Sequence, residues 1–517
     1  MGRGVKALLA ATVGWMHVVL LARTLAAQER IWQWFGDTQA DRLGSHVADA
    51  GDVNGDAIPD VIVGIPDAEP NGMDSGQARI FSGSAGSILY NFDGAQAGDR
   101  FGSHVSSAGD VDGDGRSDLI VGAPKANGWG YLKVFSGMDG GEIHFRQGDA
   151  YADFFGHSVG SAGDVNGDGY SDFIAGGPEN DNAADNAGMA RVFDGLGGGT
   201  IYTFYGASAG LRLGQSVAAV GDVNGDSTDD FLIGAISLAR LYSGADGSTI
   251  YTFTGDPNNN DLFGATVAGL GDLDLDGVNE LGVGAPTGDS GAGGYSGTAY
   301  VFSGATGLLL YFVGGSSRKQ RVGISIGGAH DVNADGVDDF IVGSDPDTDP
   351  SYALLYSGLT GKLLYQFFEE NHGDSFGITV DGVDGDANGD GFGDVVIGAP
   401  DQWHGQPGAG STTVFSGNDL FFQASRSFAF AGDPLSFFIR GGPFLGTSAI
   451  FVTAVNQSPT FFLLSLLPLD SYGDATLGGT VPSGLSGLDV ELQAFACCPA
   501  GQQSPLVDSA EVRVCFR

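Results

Sequence analysis

Asp164-Val165-Asn166-Gly167-Asp168-Gly169-Tyr170-Ser171-Asp172 is the stretch on which the fold of this chain is decided. Oxygen side chains stand at positions 1, 3, 5 and 9 of the nonapeptide. Glycines at 4 and 6 let the backbone turn tightly enough to point those oxygens inward. A hard cation with several oxygen ligands and flexible geometry suits such a loop, and calcium is the usual occupant. The plan occurs seven times, starting at Asp52, Asp110, Asp164, Asp222, Asp272, Asp331 and Asp386; subtraction gives intervals of 58, 54, 58, 50, 59 and 55 residues. One Asp-Gly turn says little. Seven at a near-constant period above ~20 residues specify a repeat architecture.

The candidate metal ligands follow loop by loop. They are Asp52, Asn54, Asp56 and Asp60; Asp110, Asp112, Asp114 and Asp118; Asp164, Asn166, Asp168 and Asp172; Asp222, Asn224, Asp226 and Asp230; Asp272, Asp274, Asp276 and Glu280; Asp331, Asn333, Asp335 and Asp339; and Asp386, Asn388, Asp390 and Asp394. Up to seven calcium ions are thus expected. Four loops depart from the glycine pattern: Ala57 and Ser227 stand at position 6, Leu275 and Ala334 at position 4. The first and fourth turns, with Ala57 and Ser227, are expected to be stiffer and to bind more weakly, while the sixth keeps its oxygens. Glu280 at position 9 and Leu275 at position 4 put the fifth loop's geometry in question.

The chain has 517 residues, 63 acidic and 22 basic, for a formal charge of -41. Such a balance excludes general nucleic-acid binding, which needs a basic footprint. Glycine is 90 of 517. It falls at turns between short apolar runs rather than every third residue, which excludes collagen and points to an all-β chain.

Residues 1–27 read as a secretory signal. Arg3 and Lys6 make a basic start, Ala7 to Leu21 is mostly apolar, and Thr24-Leu25-Ala26-Ala27 offers small residues for cleavage. An uncleaved membrane anchor is the alternative for this segment. Elsewhere no stretch reaches the ~18 apolar residues a spanning helix needs, so the expected location is secreted or cell-surface.

The second repeat shows the internal order. Phe101 to Gly109 is a β-prone run, the acidic loop follows, and Leu119-Ile-Val-Gly122-Ala-Pro124 is an apolar strand stopped by Gly and Pro. Tyr131 to Gly137 and Glu142 to Phe145 add two more strands. Four short strands per unit, repeated seven times, is the plan of a seven-bladed β-propeller over residues 31–417. Ile31-Trp-Gln-Trp34-Phe35-Gly36 matches the fourth-strand sequence Ile88 to Gly94 yet precedes the first unit. It is therefore expected to complete the last blade; Leu420 to Phe422 is the rival for that place.

The units read Phe-Gly, then Ala-Gly-Asp-Val-Asn-Gly-Asp-Gly, then Val-Gly-Ala-Pro, then Val-Phe-Ser-Gly. Phe-Gly stands at Phe101, Phe155, Phe263 and Phe376, softened at Leu43, Leu213 and Val322; Gly-Ala-Pro begins at Gly122, Gly284 and Gly398. This pattern resembles the FG-GAP repeat of integrin α-subunit propellers. The resemblance implies calcium at the loop between the first two strands, held by side chains at 1, 3, 5 and 9 with a backbone carbonyl at 7. It also implies an extracellular binding or adhesion role, with a protein or glycan as partner.

In an up-and-down blade the acidic loops share one face, while loops 2–3 and the inter-blade links share the other. The second face carries Trp129, Tyr295, Trp403 and His404, and the basic run Arg318-Lys319-Gln-Arg321. These are the ligand-face candidates, since variable loops on a rigid scaffold are where binding resides. His46 and His104 occupy equivalent repeat positions and His157 is one residue off, a repetition that points to blade packing. No Ser-centred elbow, His-Glu zinc motif or phosphate loop is present, so no catalytic residue is assigned. A carbohydrate-processing enzyme and a structural cell-surface component are the alternatives.

Residues 420–517 break the period and hold no acidic loop. Strands are expected at 436–440, 449–455, 460–466, 488–496 and 510–516, as a small β-sandwich-like module. Cys497, Cys498 and Cys515 all lie here, and one bridge to Cys515 from a neighbouring strand is expected in an exported protein.

Overall fold

A computed structural model describes residues 30–417, apart from 257–260, 346–350, 369–372, 384 and 404–406, together with the backbone of strand segments at 18–20 and between 421 and 515. The periodic part forms seven four-stranded antiparallel sheets. In the second, His104–Gly109, Asp118–Ala123, Tyr131–Phe135 and Glu142–Gln147 lie side by side in chain order. The second strand is buried at every residue, because a sheet covers each of its faces. The fourth strand alternates between exposed and half-buried, as an outer edge with one wet face should.

The first strand of each sheet lies beside the first strand of the next, and that of the seventh returns to that of the first. The ring is therefore closed. Its core consists of seven slices, each between two neighbouring blades. One slice, for example, joins Ile62 and Ile80 of the first blade to Val105, Leu119 and Val121 of the second.

The last blade is made from both ends of the propeller segment. Thr379–Val383, Asp394–Ala399 and Ser411–Phe415 are joined by Arg30–Phe35 as the outer strand. The register runs from Arg30 opposite Phe415 to Phe35 opposite Ser411. Trp34 stacks on Phe81 at 4.3 Å, and the indole N–H groups of Trp32 and Trp34 donate to the carbonyls of Gly83 and Gly86. The N-terminal strand thus takes the closing place, and Phe421–Ala424 belongs to a different sheet.

The repeated Phe-Gly and Gly-Ala-Pro elements form one joint. Phe101, Phe155, Phe263 and Phe376 are buried, and each meets a third-strand phenylalanine of its own blade edge-on at 6.2–6.4 Å. Leu43, Leu213 and Val322 fill the same position and are fully buried. The glycine after each holds φ between +83° and +87°, a left-handed conformation open to glycine at little cost. Its N–H donates to the Gly-Ala-Pro glycine carbonyl in its own blade, as from Gly102 to Gly122 at 3.0 Å. Its own carbonyl faces the Gly-Ala-Pro glycine of the preceding blade so closely that a Cβ there would lie 1.9–2.3 Å away. A side chain is excluded at both ends of the joint.

The chain divides into two compact units. The propeller, Arg30–Val332 with Val337–Gly417, is one. The other contains two antiparallel sheets. Val18–Leu20, Val507–Cys515, Asp489–Cys497, Thr447–Val455 and Ser458–Pro468 form a five-stranded sheet; Phe421–Ala424, Pro434–Arg440 and Ala475–Thr480 form a three-stranded one. All five tail strands read from the sequence are present within a few residues, and Phe421–Ala424 and Ala475–Thr480 add to them. The expected signal segment lies outside the described residues except for Val18–Leu20.

The register sets Cys497 apart from Cys515. Cys515 lies opposite Asp489, while Cys497 stands at the other end of that same strand, opposite Thr447 on its far side. Eight residues at ~3.3 Å each separate the two levels by roughly 26 Å, so Cys497 and Cys515 are not brought into bridging range. Cys498 lies outside the described residues.

Candidate functional site

The acidic loops are organised by their own carboxylates. In the second loop Asp110 Oδ1 accepts N–H bonds from Gly113 and Asp114 at 2.7 and 3.0 Å, and Oδ2 accepts from Gly115 at 2.9 Å. Asp112 Oδ1 accepts from Asp114, and Asp114 Oδ1 from Arg116. Positions 1, 3 and 5 therefore fold the loop around themselves, as Asx turns do. The frame persists where glycine is missing. Ala57 and Ser227 hold φ of 66° and 72° and still donate to Asp52 and Asp222, at 2.9 and 2.8 Å. Leu275 and Ala334 also lie in the left-handed region. These loops reach the same turn, at a cost of order 1 kcal/mol per strained residue.

Position 9 differs from the others because it opens the buried second strand, or in the fifth blade immediately precedes it. Asp60, Asp118, Asp172, Asp230, Glu280, Asp339 and Asp394 are fully buried. Asp118 accepts from Val111 and Asp112 on one oxygen and from Gly137 on the other, at 2.8, 3.3 and 2.9 Å. Gly137 ends the Val-Phe-Ser-Gly element, and Gly83, Gly195, Gly244, Gly358 and Gly417 serve their own acids the same way. Burial nevertheless outweighs these bonds. It pushes Asp118, Asp172, Asp394 and Glu280 up to about 7, and Asp60 and Asp230 up to about 6.

Whether these residues suit a cation can be tested on two observations. Carboxylate oxygens of Asp110, Asp112 and Asp118, and likewise of Asp272, Asp274 and Asp276, lie within 4.8 Å of one another. In the fifth loop Glu280 Oε1 is buried without a hydrogen-bond partner. Glutamate is one carbon longer than the aspartate used elsewhere, and the amide that serves the other six acids does not satisfy it. An all-oxygen donor set with raised carboxyl pKa values and an unpartnered buried oxygen fits a hard divalent ion.

The opposite face, defined by the antiparallel order of the blades, holds the other candidates. Trp129, Tyr295 and Trp403 are all exposed there, Trp403 most at 65 %. Tyr295 and Arg321 are brought together, the Arg321 N–H donating to the Tyr295 carbonyl at 3.1 Å. Trp129 lies in the second blade and Tyr295 in the fifth, so the aromatics do not form one cluster. His404 lies outside the described residues.

The basic run belongs to a repeated feature. Arg321 occupies the position just before the Phe-Gly element, where Arg42, Arg100 and Arg212 also stand. All seven residues at this position have φ between 50° and 59°. The four arginines meet acids at the end of the Gly-Ala-Pro element: Arg42 with Asp401 at 3.3 Å, Arg100 with Asp67 at 3.0 Å and Arg212 with Glu179 at 3.0 Å, each acid just after the proline, and Arg321 with Asp345, in the proline's place, at 3.5 Å. Alignment of the repeats on Phe-Gly would have disclosed them. Half-exposed pairs of this kind contribute ~0–1 kcal/mol each.

The histidines do what their repetition suggests. The rings of His46 and His104 meet between the first two blades, centroids 3.7 Å apart and planes tilted by 36°. Burial drives His46 down to about 4 and His104 well below its ordinary value, so both are neutral near pH 7. Ser158, Thr266 and Ser325 hold the same position in other blades and donate to the Phe-Gly glycine carbonyl of the following blade, at 2.9, 3.2 and 3.0 Å. The position joins blade to blade.

Ring, joint and loops together define a seven-bladed β-propeller, and two of its repeats match a known repeat family. A family model described as FG-GAP repeat matches residues 101–135 and 155–193. Among curated relatives, chicken (Gallus gallus) integrin alpha-V is 32% identical over 237 residues, covering 41% of this chain and 22% of the relative. Xenopus laevis integrin alpha-5 is 26% identical over 255 residues, 48% of this chain and 20% of the relative. Drosophila melanogaster integrin alpha-PS2 is 29% identical over 212 residues, 36% and 15%. The match thus spans about a fifth of these relatives' length.

Proposed function

We propose that this chain is an exported, calcium-stabilised propeller that binds an extracellular protein or glycan in an adhesion-type role. The observation that carries the metal reading is the buried position-9 acid leading into each second strand, with Glu280 Oε1 left unpartnered. Residues at positions 1, 3, 5 and 9 of each loop would hold the ion, which supplies positive charge at one end of every blade interface. The likeness to integrin α chains supports the binding role. Among the described residues, no helix is long and apolar enough to cross a membrane.

The ligand would meet the opposite face, where the exposed Trp129, Trp403, Tyr295 and Arg318, with the half-exposed Lys319 and Arg321 beside them, offer aromatic and basic anchors of the type that dominate interfaces. An array of extracellular proteins and glycans, probed with and without calcium after chelation, tests this. Calcium-dependent capture that Trp403→Ala or Tyr295→Ala weakens more than tenfold, at unchanged melting temperature, is the expected result. A protein that takes up no calcium, or captures equally after both substitutions, defeats the proposal.

A further inference from the structure

Acidic loops of neighbouring blades are bonded to one another. The residue at position 8 makes most of the links, and the motif gives that residue no metal ligand. Ser171 of the third loop donates its N–H to the Asp110 carbonyl of the second at 2.9 Å. Asp229 of the fourth donates to the Asp164 carbonyl at 3.3 Å, and its Oδ2 accepts the Asp164 N–H at 2.9 Å. Gly393 of the seventh donates to the Asp331 carbonyl at 3.0 Å. Asn279 of the fifth reaches back with its side-chain amide to the Val220 carbonyl at 3.1 Å. Between the first two loops the residue before position 8 does the work: Arg116 Nη1 donates to the Val53 carbonyl at 3.1 Å.

In all five a group of the later loop donates to a carbonyl at, or within two residues of, position 1 of the earlier one, and at Asp229 a bond also returns from the Asp164 N–H. Position 1 is the residue whose carboxylate folds its whole loop. A loop that orders around an ion therefore fixes the backbone at its predecessor's key ligand. Five of the seven junctions carry a bond of this kind among the described residues, the one between the fifth and sixth loops not being among them. Position 8 of the first loop is Pro59, which has no N–H to give to the seventh loop.

We propose, resting on the calcium reading above, that the loops take up their ions as a coupled row rather than as independent sites. The coupling is carried across the five bonded blade interfaces, by the position-8 residues and Arg116, with Asp229 as the strongest link and the junction at Pro59 open. Asp229 is a positioning residue: position 8 supplies no ligand in the motif, and its bonds run to Asp164. Order gained at one loop lowers the conformational cost of binding at the next, which is positive cooperativity without a change of fold.

Calorimetric titration of the chelated full chain with calcium tests this, alongside four variants. The wild type should give a steep isotherm with a Hill coefficient above one. Asp229→Ala should flatten it and weaken the affected loop about fivefold or more, the lower end of ordinary couplings. Asp229→Asn keeps an oxygen acceptor without the charge and should retain the steepness. Asp246→Ala removes an exposed carboxylate from a turn of the same blade with no bond to another acidic loop, and should change nothing. Asn279→Ala, which breaks the link between the fourth and fifth loops, gives a second reading if Asp229→Ala fails to fold. Calcium uptake with the same steepness and midpoint in wild type, Asp229→Ala and Asn279→Ala overturns the coupling and leaves the calcium reading standing. Absence of calcium uptake in the wild type overturns both.

Discussion

Gly122 of the second blade lies against the carbonyl oxygen of Gly156 at the start of the third, so close that a methyl group on Gly122 would come within 2.0 Å of it. Gly122 also accepts the Gly102 N–H, and Gly156 donates to Gly176, so the approach belongs to a run of joints around the ring. Gly122→Ala must push two blades apart. A loss above ~3 kcal/mol is expected, comparable with a severe core defect. Gly199→Ala, where nothing lies within 4 Å and φ is not left-handed, should be neutral or slightly stabilising. Urea unfolding of both variants checks the contrast.

Closure by the first strand gives a second test. Trp34 joins the edge of the last blade to Phe81 and Gly86 of the first. Trp34→Ala should cost about 3 kcal/mol, the lower end of the range for truncating a large packed aromatic. Deleting residues 31–36 should lower the melting temperature far more, because it exposes the edge of the last blade. A melting temperature unchanged by the deletion would show that the strand does not hold the ring.

The buried position-9 acids make stability depend on pH in a direction set by metal. Their carboxyls titrate near 4 in the unfolded chain, and six are raised to about 6–7 in the fold. Between those limits the folded state holds protons that the unfolded state has lost, so metal-free stability falls as pH rises from about 4 to 7. His46, His104 and His157 act in the opposite sense, since burial lowers all three and acid must charge them on unfolding. Six acids outweigh three histidines, each tenfold change in proton affinity counting ~1.4 kcal/mol. Chelated protein should therefore melt higher at pH 5 than at pH 7.5. Saturating calcium should reverse the order, because the ion needs the carboxylates charged.

Glu280 offers a gain rather than a loss. Its Oε1 is buried and unpartnered, whereas Gly137 satisfies the equivalent oxygen of Asp118 at 2.9 Å. Glu280→Asp should let the fifth blade adopt the common arrangement, with Gly304 as donor. Calcium-free protein should gain about 1–2 kcal/mol, the usual cost of one unsatisfied buried acceptor. Thermal melts in chelator read it directly.

Much of this architecture is written in the chain at the level of repeats. The loop starting at Asp164 and its six relatives announce the period, and the Trp-rich strand before the first unit announces how the ring closes. What stays hidden lies between repeats. Nothing local to Gly122 says that its neighbour is Gly156, because that approach is created only when two blades face each other. Arg321 reads as part of a basic cluster until its three counterparts, Arg42, Arg100 and Arg212, are seen beside acids. Position 8 of the loops carries no signal either: Ser171, Asp229 and Gly393 share no side-chain chemistry, and their common act is mostly performed by the main chain. The tail's sheets are legible from alternating apolar runs, but the level at which Cys515 sits depends on pairing register, which composition does not encode.

The pairing of Arg30 with Phe415 means that the ring is sealed by residues nearly four hundred positions apart. A ribosome delivers the first of them long before the second exists. For that interval the early blades stand as an open arc with one raw flank, and the Trp32–Trp34 strand has no permanent home. Assembly of this kind rewards slow, protected completion, and it makes a prematurely truncated chain a poor fold rather than a smaller good one.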